Sequence, residues 1–121
     1  MRQLETVQTK ENLNQVYAED EKGIGGANHV YSIVSVYDSD AYLSQEINFQ
    51  NGARKDPNSI HGALDSDLVE IVRDRLSAFQ QGDFATEDNA KALEHIEKAL
   101  YYMNQRVEKR IARNVLGTYE K

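Results

Sequence analysis

The sequence predicts an α+β fold, in which a small N-terminal antiparallel β-sheet precedes a C-terminal helical hairpin with one short and one long helix. Two observations support this prediction. Residues 29–50 are rich in β-branched and aromatic side chains, whereas the residues from Asp65 onward carry apolar side chains at helical spacing. We therefore divide the 121 residues into a β region, 1–62, and a helical hairpin, 63–121, which together are expected to form one compact domain.

The predicted sheet centres on a β-hairpin. Residues 29–37, HVYSIVSVY, carry apolar side chains on both alternation sets, as in a well-covered strand. Residues 42–50 alternate more cleanly, with Leu43, Ile47 and Phe49 on one face. Three short polar residues between the two segments favour a turn: Asp38, Ser39 and Asp40.

The rest of the β region is less regular. Residues 1–15 show no convincing period, and a further short strand is expected near Val16 and Tyr17. The run GIGGANH, residues 23–29, indicates either a turn or a close approach of the backbone to another group. Residues 51–62 contain the single proline and two glycines, which predicts a loop.

Both helices have start and stop signals. The first is predicted to begin at Asp65 or Ser66, with a capping side chain, and to end at Gly82. The second is predicted to extend from the N-cap Thr86 to Arg113, about 28 residues and roughly 42 Å, against about 15 residues and roughly 22 Å for the first. The apolar positions of the first helix are Leu64, Leu68, Ile71, Val72, Leu76 and Phe79.

The long helix carries an apolar seam with alternate spacings of three and four, formed by Leu93, Ile96, Leu100, Met103 and Val107. Since the shorter helix is too short to cover all of it, the far half is expected to meet another element. That half includes Met103, Val107 and Ile111. A neighbouring subunit is the simplest such element, so that a homo-oligomer is predicted.

Composition restricts the possible functions. The chain has no cysteine, which excludes disulfides and thiolate metal sites. No apolar run approaches the roughly 20 residues of a membrane helix, and the start MRQLETVQTK lacks a signal-peptide pattern, so an unexported, cytoplasmic protein is expected. The formal net charge of −6 argues against a general nucleic-acid binder. Residues 101–121, however, carry five basic and two acidic side chains, which suits a small anion.

Three arginines in this basic segment form a stripe at i, i+4 and i+7, namely Arg106, Arg110 and Arg113. Guanidinium groups offer paired donors to phosphate, so the stripe is a candidate anion site. The alternative is a solvated face near a helix C-terminus, where basic side chains are favoured in any case. The pattern alone slightly favours this alternative.

Two further residues admit two interpretations each. Phe79 continues the apolar face of the first helix and would be core, or it could stack on a nucleobase at the helix end. Asn89 follows the cap Thr86 by three and belongs to the helix start, or its amide could contact an adenine edge. Pattern alone favours the structural interpretation for both.

No pattern of a catalytic or metal site is present. The histidines, His29, His61 and His95, are isolated, and no second histidine follows at the spacing that a helical zinc site needs. No motif joins a nucleophile to a base. We therefore expect a protein that is not an enzyme and requires no cofactor or metal.

Three motifs together are specific: INFQNG at 47–52, the DRL-x-x-FQ-x-G-x-F-x-x-x-x-NA-x-AL run at 74–93, and N-x-R-x-x-x-R-x-x-R-x-V-x-GT at 104–118. With them the second half resembles the helical-hairpin domain shared by phage Thoeris anti-defence sponge proteins and anti-CBASS sponge proteins. The N-terminal KGIGGANHVYSI and the hairpin that follows resemble the Thoeris type.

The resemblance implies sequestration, without degradation, of glyco-cyclic ADP-ribose, the messenger that TIR-domain proteins make after infection. It implies that Phe79 stacks on adenine, that Asn89 contacts the base edge, and that Arg106 and Arg110 bind the pyrophosphate in a pocket between subunits of a dimer or hexamer. Arg54 and Arg113 match less closely. Some relatives also hold cyclic di- or trinucleotides in separate sites. The alternatives left open are a sponge or cleaving enzyme for such nucleotides, and a structural phage protein with an anion-binding stripe.

Overall fold

The computed structural model describes residues 1–36 and 44–121, which fall into two compact units, Met1–Ala63 and Leu64–Lys121. The first unit contains the sheet and the second contains the helices, so the predicted α+β class is confirmed. That the two regions form one compact domain stays a prediction.

The sheet has four strands, β1 (Arg2–Gln3), β2 (Asn14–Ala18), β3 (Val30–Ser35) and β4 (Ser44–Asn48). Each strand pairs antiparallel with the next in sequence. The strand expected near Val16 is confirmed as β2, whereas β1 has no counterpart in the predictions. The predicted hairpin of β3 and β4 is confirmed, and the turn expected at residues 38–40 lies outside the described residues.

The predicted alternation of the second hairpin strand is confirmed for residues 46–49, whereas Gln50 of the predicted polar face is also half-buried and Leu43 lies outside the described residues. Ile47 and Phe49 are half-buried, whereas Glu46 and Asn48 between and beside them are exposed. The Phe49 ring packs edge-on against Tyr31 of β3, with ring centroids 5.6 Å apart. One face of β4 is thereby covered by an aromatic pair that a strand period of two places on the same side.

The predicted loop at 51–62 is attached to the end of β4. Asn51 pairs with Ile60, and Phe49 pairs with Ala63. Gly62 crosses directly over this strand end, where a Cβ atom at residue 62 would lie 2.5 Å from the carbonyl oxygen of Asn48. Only glycine fits so close an approach of two backbones.

The glycine-rich run forms a turn, which confirms the first of its two interpretations. A close approach of this backbone to another molecule stays a prediction. Gly23 N–H donates to the Ala27 carbonyl, and a 3-10 turn covers Ile24–Gly26. Gly25 and Gly26 both adopt a φ of 79°, a conformation that glycine supplies without strain. No other described residue has an atom within 4 Å of where their Cβ atoms would be.

This turn is anchored by Asp20, which follows β2. The Asp20 carboxylate accepts hydrogen bonds from the backbone N–H groups of His29 and Val30 at 3.0 and 3.1 Å. Partial burial opposes ionisation of Asp20, but the N–H donors of Val30 and His29 outweigh it and lower the pKa of this carboxyl below its ordinary value. The start of β3 is thus held beside the end of β2.

The second unit consists of α1 (Asp65–Gln80, 16 residues) and α2 (Glu87–Ala112, 26 residues), about 24 and 39 Å long. Thr86 is the N-cap of α2, as predicted, and Arg113 is its C-cap. The predicted start at Asp65 or Ser66 is confirmed, since α1 begins at Asp65, whereas the expectation of a capping side chain there is wrong. The N-cap is Leu64, whose N–H donates to the Asp67 carboxylate at 2.9 Å, so a residue inside the first turn closes the helix start.

The seam of α2 faces α1. All five predicted seam residues are half-buried, whereas most other α2 side chains are exposed. The expectation that Met103 and Val107 lie beyond the shorter helix is wrong, because both line one concavity together with Ser66 and Asp67 of α1. Ile111 does lie beyond α1 and is 51% exposed.

Part of the apolar surface of α1 faces away from α2. Leu64, Ile71, Val72 and Phe79 keep between 37% and 57% of their surface exposed. Across the chain, Ala18 is the one fully buried apolar side chain among the described residues. The fold of the isolated chain therefore leaves a large share of its apolar surface in contact with water.

Candidate functional site

The helical hairpin carries its candidate ligand residues at two ends. The linker end, residues 79–89, contains Phe79 and Asn89, and the basic end, residues 106–118, contains Arg106, Arg110 and Arg113. Asn89 and Arg106 lie on one continuous helix, seventeen residues and therefore roughly 26 Å apart. A single hairpin thus brings the residues of each end together but keeps the two ends apart.

Hydrogen bonds made by side chains, and not only the short length of the linker, hold the ends of α1 and α2 together at the linker end. The amide of Gln80 donates to the Thr86 carbonyl at 3.1 Å and accepts from the Thr86 N–H at 3.0 Å. Thr86 Oγ1 accepts from the Asn89 N–H at 3.0 Å. This chain of three bonds connects the last turn of α1 to the first turn of α2.

Phe79 lies in the last turn of α1 and is 37% exposed. The interpretation of Phe79 as a buried core residue is therefore wrong for the isolated chain. The Arg75 guanidinium lies over the ring, with Cζ 5.4 Å from the ring centroid, which is a cation–π contact. Arg75 was not among the predicted site residues, although its position four residues before Phe79 on a helix was a usable signal.

Asn89 has the role in the helix start that the pattern favoured, through its backbone. Its N–H donates to Thr86 Oγ1, and its side chain is half-buried. Within residues 1–36 and 44–121 the side-chain amide of Asn89 makes no hydrogen bond, so it retains its donors and its acceptor. Capping by the backbone and recognition by the amide are therefore compatible.

At the basic end the three arginines differ. Arg106 and Arg113 are exposed and, within the described part of the chain, make no hydrogen bond or ion pair through their guanidinium groups. Arg110 is half-buried, and its Nη2 atom donates to the carbonyl oxygens of Val115 and Thr118, both at 3.1 Å. The interpretation of the stripe as a purely solvated face fits Arg106 and Arg113 but not Arg110.

The chain reverses after α2 through a Schellman motif, which was not among the predictions. The Val115 N–H donates to the Arg110 carbonyl at 3.0 Å, and the Asn114 N–H donates to the Ile111 carbonyl at 2.9 Å. Asn114 adopts a φ of 56°, which asparagine tolerates better than most residues. The motif directs residues 115–118 back onto Arg110.

Arg54 lies in the other unit, in the loop after β4, and is exposed. Arg54 lies within a turn of this loop, in which the Asp56 N–H donates to the Ala53 carbonyl at 2.9 Å. The Arg54 side chain makes no hydrogen bond to any described residue.

The middle of α2 is electrostatically balanced. Lys91 pairs with Glu87 and Lys98 pairs with Glu94, each at i, i+4. Arg73 of α1 lies 3.1 Å from the Glu97 carboxylate and links the two helices. Apart from Arg75, the positive charges of the hairpin that have no ion-pair partner among the described residues lie from Arg106 onward.

The histidines and carboxylates of the described residues nowhere form a group of three or more that could hold a metal ion. In the same part of the chain, no helix has the length and hydropathy needed to cross a bilayer.

A family profile for the hairpin domain of Acb2/Tad1 matches residues 42–108, more than half of the chain. The chain belongs to the Acb2/Tad1 hairpin-domain family. The matched residues include Arg54, Phe79, Asn89 and Arg106, whereas Arg110 and Arg113 lie beyond them.

The chain is also similar to Thoeris anti-defense 1 of Bacillus phage SBSphiJ7, with 40% identity over 78 residues. The alignment covers 62% of this chain and 52% of that phage protein, so the chain spans about half the length of this relative. Membership of the Acb2/Tad1 hairpin family and the likeness to a Thoeris anti-defence protein agree with the resemblance that the motifs indicated.

Proposed function

We propose that this member of the Acb2/Tad1 hairpin family is a phage anti-defence protein that sequesters glyco-cyclic ADP-ribose in the host cytoplasm and so blocks Thoeris immunity. The observation that carries the proposal is the 40% identity to Thoeris anti-defense 1, in a chain whose hairpin also matches the family. The bound ligand stays chemically intact, because sequestration requires affinity and no chemical step.

The two ends of the hairpin suit the two halves of this ligand. At the linker end Phe79 offers an exposed ring to adenine, and Asn89 offers a free amide to the base edge. At the basic end Arg106 and Arg110 offer guanidinium groups to the pyrophosphate. Arg113 and Arg54 are additional candidates for contacts with the phosphates.

The separation of the two ends supports a ligand site shared between two copies of the chain. Roughly 26 Å of helix separate Asn89 from Arg106. This distance is too long for one base and its adjoining phosphates, because neighbouring nucleotides of a strand are only about 3.4 Å apart. Two hairpins lying antiparallel would place the linker end of one beside the basic end of the other. A homodimer of this kind has two equivalent sites.

The exposed apolar side chains of α1 support the same assembly. Leu64, Ile71 and Val72 remain between 43% and 57% exposed in the isolated chain. Burial of such a stripe between copies would contribute about 25 cal/mol per Å² of apolar surface removed from water. The same assembly would cover Ile111 beyond the end of α1.

Calorimetric titration with glyco-cyclic ADP-ribose, followed by heat release and chromatography of the ligand, tests the proposal. Tight binding with recovery of the intact ring is the expected result. A linear product would indicate a hydrolase, and binding of cyclic di- or trinucleotides alone would move the protein to CBASS-type signalling. Salt-sensitive binding of random DNA would indicate a nucleic-acid contact instead.

A further inference from the structure

The C-terminal segment 115–118 forms a cradle around one nitrogen of Arg110. Nη2 donates to two carbonyl oxygens, those of Val115 and Thr118, each at 3.1 Å. The Thr118 hydroxyl donates to the Val115 carbonyl at 2.6 Å, and the Thr118 N–H donates to the same oxygen at 3.1 Å. The cradle is therefore internally bonded and does not depend on Arg110 alone for its shape.

This arrangement fixes one part of the guanidinium and leaves another available. A guanidinium carries five N–H donors, and both hydrogens of Nη2 have acceptors here. Nε and Nη1 donate to no acceptor among the described residues, so three donors remain for a ligand. Arg106, four residues earlier on the same stripe, has no such support and is exposed.

We propose that segment 115–118 is a positioning element of the ligand site, which holds the Arg110 guanidinium in the orientation in which it meets the phosphates of the ligand. The inference rests on the proposed function and extends it to residues beyond the family match, which ends at residue 108. An arginine that is ordered in advance loses less rotamer freedom on binding, and this loss is otherwise a substantial cost of association.

The segment also changes the local field. Arg110 lies in the last turn of α2, where the backbone carbonyls make the helix end partly negative. Two further carbonyls are directed at the same guanidinium. The binding of an anion at this end therefore depends on the direction in which Nε and Nη1 of Arg110 point. A freely rotating Arg110 side chain would donate to the carbonyls of the helix end instead.

Gly117 provides a test that alters neither charge nor any side chain of the site. Its φ of 80° lets the chain turn back, which proline, with φ fixed near about −65°, cannot do. Gly117→Pro therefore removes the cradle, whereas Gly117→Asn, which tolerates this conformation, is the matched control. Both changes lie outside α1 and α2, so circular dichroism should show unchanged helix content.

The measurement is the affinity for glyco-cyclic ADP-ribose by calorimetry in a double-mutant cycle. Gly117→Pro should weaken binding roughly five- to fiftyfold in the unmodified chain and in the Arg106→Ala background, but not further in the Arg110→Ala background. The control Gly117→Asn should bind the ligand with about the affinity of the unmodified chain.

The outcomes separate the two proposals. No binding by the unmodified protein overturns the proposed function and the inference with it. Binding that Gly117→Pro leaves unchanged, or an equal further loss in the Arg110→Ala background, overturns the inference alone.

Discussion

Gln80 and Thr86 are joined by two hydrogen bonds, in which the side-chain amide of Gln80 satisfies both the N–H and the carbonyl of Thr86. The amide thereby takes the place of a neighbouring backbone across the turn between α1 and α2. Because Phe79 precedes Gln80 and Asn89 follows Thr86 by three, this pair sets the geometry of the linker end.

Gln80→Ala should lower the free energy of unfolding by about 1–2 kcal/mol, because it removes two hydrogen bonds and leaves the Thr86 N–H without a protein partner, whereas the Thr86 carbonyl keeps its bond from the Ala90 N–H. Chemical denaturation followed by circular dichroism measures the loss. Gln81→Ala, one residue further, removes an exposed amide and should change stability by less than about 0.5 kcal/mol. Equal effects of the two changes would contradict the role of the Gln80 pair.

Phe79→Ala should weaken capture of glyco-cyclic ADP-ribose by roughly 5- to 150-fold, because stacking of a base on an aromatic ring contributes about 1–3 kcal/mol. Calorimetric titration measures the change. Phe84, which is 78% exposed in the same linker end, provides the matched control. If Phe84→Ala costs as much affinity as Phe79→Ala, the assignment of the stacking ring is wrong.

Arg106→Ala should weaken binding of the same ligand by roughly 10- to 150-fold, since a hydrogen bond to a charged group contributes about 1.5–3 kcal/mol. Lys109→Ala removes the same charge from the same helical turn and should have a much smaller effect. Titration at two salt concentrations separates direct contact from general attraction. If both variants lose affinity to a similar extent and the loss disappears at high salt, the basic end acts only as a diffuse electrostatic surface.

Gly62→Ala should destabilise the sheet unit by about 1–3 kcal/mol, because the new Cβ would lie 2.5 Å from the Asn48 carbonyl oxygen and 2.6 Å from the Phe49 carbonyl carbon. Gly82→Ala is the control, since the nearest atoms to its Cβ among the described residues would be 4.0 Å away. Thermal unfolding should show a lower midpoint for the first change only. A stable Gly62→Ala protein would mean that the loop after β4 can move away from the strand.

Asp20→Asn should reduce the acid sensitivity of folding. Since the folded state lowers the pKa of Asp20, its carboxylate stabilises the fold above the ordinary aspartate value of about 3.8, and this contribution is lost as the pH falls through the lower, folded value. Thermal midpoints between neutral pH and pH values below the ordinary one should fall less steeply in the variant. Asp83→Asn, in the linker between the helices, should keep the original slope.

The sequence predicted the elements whose signals are local. Thr86 and the apolar seam of α2 define that helix almost to the residue, because capping and periodicity act within a few turns. Strand β1 escaped prediction because its two residues are defined only by pairing with Tyr17 and Ala18, more than ten residues away. The start of α1 was predicted correctly but its cap was not, because Asp67 closes the helix start from inside the first turn.

The candidate site was predictable in its residue types and less so in its arrangement. Spacing alone placed Arg106, Arg110 and Arg113 on one stripe but could not show that Arg110 differs from the other two. That difference depends on the reversal at Asn114, whose positive φ follows from no pattern in the preceding helix. The cation–π contact of Arg75 with Phe79 was overlooked because Phe79 was considered alone.

The distribution of charge along α2 has a kinetic consequence. The first turn is acidic, at Glu87 and Asp88, and the last turn is basic, while paired lysines and glutamates neutralise the turns between them. An approaching dianion is therefore repelled by most of a chain with net charge −6 and attracted to one helix end. Such a field raises the encounter rate at that end and lowers unproductive encounters elsewhere, as the proposed sequestration of a small phosphate-bearing ligand requires.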